Sequence, residues 1–311
     1  MSLVIGRRLL WAIPSIILTT ALLFFCVIGL LGSPAAMMLG RDATPEAIKA
    51  LDAKLGFDRP MIIQYLDWMR HASVGNFGRS FSTPQTVAAA ILPRLPVTFE
   101  LSVFAILLAV VAAVALNSNS GARTLRPLAT LLAVVGVTAP NFVIGLAGIL
   151  LFSVQLSWLP TIGWVPWSAG IGTHLLHILL PVVTLSAHYF GSFTLVYRAE
   201  FDNVRRRPFV RAARAKGLSE RQIAFRHVMP NSVLPVITYV GLSLGQLIGG
   251  AVVVETLFAI PGIGSLFVDS ILQHDFPVML AISEIVIIVV ILLNVLADLA
   301  YGLVNPQIRL R

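Results

Sequence analysis

Seven ionisable side chains sit inside or beside long apolar runs, and any chemistry within the chain would have to be built from them: Glu100, His174, His177, His188, Glu255, Glu284 and Asp298. Charge in hydrocarbon is costly, so such residues persist for a polar ligand, an ion route or a local pairing. Glu284 and His188 lie deepest in their runs and are the expected contacts for a polar ligand in a water-filled cavity. Glu100, Glu255 and Asp298 lie near run ends, where snorkelling or helix capping accounts for them. His174 and His177 share a helical face, but two histidines without a nearby acid or cysteine make a poor metal site, and none is expected. Catalysis has no better support. Ser186 and His188 are two positions apart, which on a helix turns them in different directions. No GxxxxGKS/T phosphate loop occurs, so the chain does not bind ATP in the P-loop way, and it is expected not to be an enzyme.

Docking chemistry is marked more clearly, in one polar stretch that reads RRRPFVRAARAKGLSERQIAFRHVMPN from Arg205. Pro208 can start a short helix and Gly217 can end it, because glycine takes the left-handed C-terminal position without steric cost. Ser219 with Gln222 makes a capping box for a second helix, which Pro230 is expected to stop. Two short helices meeting across Gly217 and Leu218 form a knob. Ala212 and Ala213 leave one side thin, and Phe209, Ile223, Phe225 and Val228 are expected to give it apolar surface. A basic loop that binds anionic lipid is the competing reading of its charge. That reading leaves the caps, the glycine break and the alanine pair without a purpose.

The elements that position these residues follow from composition. The 311 residues are 57% hydrophobic and 12% charged, against roughly 25% charged in an ordinary globular domain, so lipid has to be the main solvent. Apolar runs long enough to cross the bilayer are predicted at about Leu9 to Leu31, Thr98 to Leu116, Leu128 to Val154, Leu175 to Val196, Ser232 to Phe258 and Val278 to Val304. The first run is longer than the apolar core of a secretory signal, so it is expected to remain as a span. Cys26 is the single cysteine, which excludes an internal disulfide. The net charge of +8 lies in loops between spans, not on a soluble face, so topology explains it better than nucleic acid does. Nine Lys or Arg fall between Arg198 and Arg226 and the short loops near Trp158 and Asp269 hold none, which places both termini inside.

Outside lies one long loop, Gly32 to Val97. Thr44 can cap a helix with Pro45 at its first position and Gly56 at its end, with Ile48, Leu51 and Leu55 on one face. A second amphipathic piece follows Pro60, with Ile63, Leu66 and Met69 on one side. Partner docking and resting on the membrane surface are equally open for this region. In the fifth run Gly241, Gly245 and Gly249 are spaced by four, which suits close helix packing within the chain, against a second subunit or beside a path. After Glu255 the chain breaks at Pro261 and Gly262 and resumes as a helix too short to span, carrying Leu266, Phe267 and Ile271.

RAARAKGLSERQIAFRHVMPN resembles the cytoplasmic coupling loop of ATP-binding-cassette importer permeases, in the dipeptide and oligopeptide family and in the member with a large outer loop after its first span. LGFDRPMIIQYLDW, GNFGRSF, TAPNFVIG, VETLFAIPGIGSLFVDSILQHDFPV and NPQIRLR are similar to that family's pattern in the same order, so the resemblance covers nearly the whole chain. Arg211 stands where the family's Glu-Ala-Ala triplet has glutamate, and Asn305 and Gln307 depart from its usual tail. The resemblance implies an all-α membrane protein with six transmembrane helices and the type I importer permease fold. It implies an N-terminal span with its outer loop (1–97), a five-helix transmembrane domain (98–304) carrying the coupling loop at 201–231, and a cytoplasmic tail (305–311). Phe209, Arg211, Ala212, Ala213, Lys216, Gly217, Leu218, Ile223 and Pro230 would meet a cytoplasmic ATPase, and Pro261, Gly262 and Phe267 would belong to an outer gate. It further implies a second permease, two ATPase subunits that hold the ATP and magnesium, and an outer substrate-binding protein, all in a bacterial cytoplasmic membrane. Peptides are the expected solute, with glutathione, nickel chelates and modified sugars as alternatives. An ion-coupled carrier using Glu255, Glu284 or Asp298 would need an inverted repeat, and no convincing one is present.

Overall fold

A computed structural model describes residues 2–31, 34–39, 43–118 and 125–304. The helices are α1 (Ser2–Leu31), α2 (Pro34–Leu39), α3 (Pro45–Leu55), α4 (Met61–Ala72), α5 (Val87–Ile91), α6 (Leu95–Ser118), α7 (Leu125–Thr138), α8 (Asn141–Gly148), α9 (Ile171–Arg205), α10 (Pro208–Ala215), α11 (Glu220–Ile223), α12 (Met229–Leu257), α13 (Ile263–Leu272) and α14 (Phe276–Val304). Among the described residues the extended pairing amounts to one isolated bridge, Arg79 to Thr86. Five helices are long and apolar enough to cross a bilayer, and a bent pair makes a sixth when counted as one span. The sixth overturns the expectation of a continuous third span. Pro127–Thr138 and Asn141–Gln155 meet at 119°, because Pro140 has no N–H to continue α7 and clashes with the preceding turn.

Contacts divide the chain into two compact units, Met1–Val97 with Gly262–Val295, and Thr98–Pro261 with Leu296–Arg311. In the first, Thr44 accepts from the Ala47 N–H at the start of α3, and Gly56 ends that helix with φ +80°. Helix α4 turns Tyr65, Trp68 and Met69 to its packed side. Tyr65 is buried and Trp68 joins it against Phe24, Ile28 and Leu280, whereas Ile63 and Leu66 are exposed. The aromatic pair has more area to bury, and the Tyr65 hydroxyl donates to the Ile17 carbonyl while lying 3.0 Å from Thr20 Oγ1. A second cluster joins Val87 and Ile91 to Ile263, Val278 and Ile282. Beside it, buried Asp275 accepts from the Ser80 hydroxyl and from the N–H groups of Phe81 and Ser82.

In the second unit α9 is the axis, with α7, α8 and α12 packed along it. Glycines set how closely. A Cβ on Gly136 would stand 2.3 Å from the Ala187 carbonyl oxygen, and one on Gly191 2.4 Å from that of Ala133. Such distances leave no room for a side chain, so the α7–α9 crossing is backbone against backbone. Gly145 and Gly148 extend the close approach to Thr184 and Leu180. Pro230 does not stop the second loop helix as expected. Helix α11 widens through a π-helical stretch, Ala224–Val228, and runs into α12, where Pro230 occupies an early position whose missing N–H is harmless.

Candidate functional site

The polar loop keeps the shape its punctuation predicts. Pro208 opens α10, and Gly217 follows it with φ +80°, a conformation that costs an L side chain about 1–2 kcal/mol. The Gly217 N–H donates to the Arg214 carbonyl and the Leu218 N–H to that of Ala213, which closes the helix end. Ser219 and Gln222 form the complete capping box. Glu220 accepts from Arg214 Nε at 2.6 Å and pairs with Arg205 at 3.1 Å, tying the two helices of the loop to the end of α9. The Arg214 hydrogen bond holds the Glu220 carboxyl below the ordinary glutamate range, and Glu220 in turn raises the Arg214 guanidinium.

Surface and interior are distributed differently from expectation. Val210, Ala213, Ile223 and Val228 are buried, so Ile223 and Val228 form the loop's small core and not its apolar surface. Phe209 and Phe225 are 41% and 42% exposed, and together with Arg211, Ala212, Lys216 and Gly217 they are what the loop presents. Leu218 is half-buried and Pro230 exposed.

Within the spans the titratable residues are mostly held. His174 is fully buried; its Nδ1–H donates to the Val165 carbonyl at 2.6 Å, and Nε2 lies 2.8 Å from Glu100. Since a carbonyl cannot donate, Nδ1 supplies the hydrogen of its bond and Nε2 faces the carboxyl. Trp167 stacks on the ring at 3.9 Å and Trp164 meets its edge. Both His174 nitrogens are therefore engaged, and His177 Nδ1 turns to the Thr173 carbonyl, which leaves no metal-binding pair. Glu255 does not snorkel: it is fully buried and accepts from Thr98 at 2.6 Å. Glu284 is also buried, whereas His188 is half-buried with its ring edge-on to Tyr189. The side chain of Asp298 and the tail with Asn305 and Gln307 lie outside the described residues.

The glycine row of α12 divides by position. Gly241 backs onto Ala297, Gly245 is half-buried, and Gly249 has open space beside it. Pro261 is exposed; Gly262 precedes α13, and Phe267 packs on the Val87 and Ile91 cluster. Sequence reasoning missed the Gly136–Gly191 crossing, the Asp275 clamp and the His174–Glu100 pair. Their signals were a glycine in each partner span and the polar side chains in GNFGRSF and HDFPV, but the partners are distant in the chain.

These features can be set beside known proteins. Residues 105–310 match the family described as binding-protein-dependent transport system inner membrane component, and residues 1–102 match the N-terminal family of the same membrane components. A probable peptide ABC transporter permease of Sinorhizobium fredii is 34% identical, with 99% of this chain and all of the relative aligned. Glutathione transport system permeases of Salmonella typhimurium and Escherichia coli K12 are 34% and 35% identical over 97% of each chain. A crystal structure of an amino acid ABC transporter shares the fold, with a TM-score of 0.52, 17% identity, and coverage of 69% of this chain and 94% of that one. The chain thus belongs to the binding-protein-dependent transport system inner membrane components, with the permease fold of ABC importers.

Proposed function

We propose that this permease forms half of the translocation route of a bacterial ATP-driven importer for peptides or peptide-like solutes such as glutathione. It lies in the cytoplasmic membrane with both termini inside. A second permease supplies the other half, two cytoplasmic subunits bind ATP and magnesium and hydrolyse the nucleotide, and a binding protein delivers solute from outside. The names of the aligned peptide and glutathione relatives support the solute class. The observation that carries the coupling role is the capped α10–Gly217–α11 loop with Phe209 and Phe225 exposed. A knob whose ends are capped and whose core is filled transmits displacement, whereas a floppy basic loop would absorb it. Closure of the ATPases moves this knob, and α9 and the continuous α11–α12 segment carry the movement into the membrane.

Gly217→Val tests the coupling. Valine is strained at φ +80°, so the loop end should reorganise. The variant is expected to insert and to bind its ATPases while ATP hydrolysis no longer drives uptake into proteoliposomes. Normal coupled uptake would count against the reading. Mass spectrometry of ligand co-purifying with the binding-protein complex tests the solute; a sugar or metal chelate would replace peptides without altering the transport role.

A further inference from the structure

The break in the third span leaves polar backbone where lipid cannot serve it. Helix α7 has 14 residues, which rise about 21 Å against about 30 Å of hydrocarbon, so a span entered at the start of α7 reaches Ala139 and Pro140 before it has crossed. The Val143 and Ile144 N–H groups fold back onto the Pro140 carbonyl, while no acceptor among the described residues meets the N–H of Asn141 or Phe142. Irregular backbone survives at this depth only inside protein or along a hydrated cavity. Phe142 and Val143 are exposed, so this chain does not cover it.

A second observation points to a ligand. Tyr189 is 4% exposed, yet its hydroxyl has no hydrogen-bond partner among the described residues. It is aimed at the start of α8. A Cβ on Gly250 would lie 3.5 Å from the Asn141 side-chain nitrogen and 3.9 Å from the Tyr189 hydroxyl oxygen, so both polar ends converge over one glycine. Next to it the space at Gly249 is open. Two free amides at the positive end of a helix, a phenol and a side-chain amide form a donor set suited to an anionic oxygen.

We infer that the start of α8, with Asn141 and Tyr189, binds a carboxylate of the solute as it crosses the membrane. The inference rests on the peptide reading above and names the group recognised: the free C-terminal carboxylate. It also gives the Tyr189, Asn141 and Gly250 cluster a role that packing alone does not require.

The complete importer in proteoliposomes, with its binding protein, provides the test, using trialanine and trialanine C-terminal amide as probes. The measured quantity is the ratio of free-acid to amide uptake. Tyr189→Phe keeps the ring between His188 and Phe193 and removes one donor, so the ratio should fall about tenfold from its wild-type value. Asn141→Asp places a like charge at the site and should lower the ratio further. An unchanged ratio in both variants overturns the site, as does an equal loss of both peptides. A wild-type importer that carries neither these peptides nor glutathione overturns the peptide reading itself, and this site with it.

Discussion

The α10–Gly217–α11 loop and the crossing of α7 with α9 are both glycine-dependent, but for opposite reasons. At Gly217 the side chain is absent because of backbone conformation: φ is +80°, and a Cβ there would touch nothing within 4 Å. At Gly136 conformation is ordinary and space is absent, with a carbonyl oxygen 2.3 Å from where Cβ would be. The first is a local property, maintained by bonds between near neighbours such as Ser219 with Gln222 and Ala213 with Leu218. The second exists only when two spans meet. A loop closed by its near neighbours keeps its shape without help from another span, whereas two spans in lipid have little hydrophobic drive to associate and gain by close contact.

Three substitutions should separate the regions. Gly136→Val forces a branched side chain into the Ala187 backbone and should cost upwards of about 3 kcal/mol. It is expected to lower the thermal midpoint of the purified protein far more than Gly217→Val does; equal midpoints would mean that the crossing tolerates separation. Ser219→Ala removes the cap and should cost about 1 kcal/mol, confined to the loop. Hydrogen exchange of the α11 amides should quicken about fivefold, with the α7–α9 amides unaffected. Glu220→Gln should have the smallest effect, under about 1 kcal/mol, since its ion pairs are largely exposed. Because Arg214 lowers the Glu220 pKa, the pair's contribution is present above the ordinary glutamate range and disappears as pH falls through the lowered value. The stability difference between wild type and Glu220→Gln should therefore be measurable at pH 7 and vanish in acid; a difference that persists there would point to packing instead of charge.

The same contrast explains which expectations held. Caps at Thr44 and Ser219 and helix ends at Gly56 and Gly217 were legible because each is settled by a few neighbouring residues. The amphipathic pattern of α4 was legible but not what covers it: Met69 packs beside Tyr65 and Trp68 on the cluster with Phe24 and Ile28, whereas Ile63 and Leu66 stay exposed. Ile223 and Val228 were expected on the loop surface and fill its interior, because only the folded loop defines an inside. Pro230 read as a stop from its missing N–H, yet the preceding π-helical turn leaves that group unneeded.

By itself the sequence determined a membrane protein with five or six apolar spans and a capped knob from Pro208 onward. Hydrophobicity sums over a run, and capping chemistry acts within one helical turn, so neither needs the fold. Only the tertiary structure decided that Glu100 and His174 pair beside two tryptophans, that Asp275 gathers Ser80, Phe81 and Ser82, and that Tyr189 and Asn141 converge on Gly250. Each joins segments distant in the chain, and a bond between distant residues has no local signature until packing brings its two ends together.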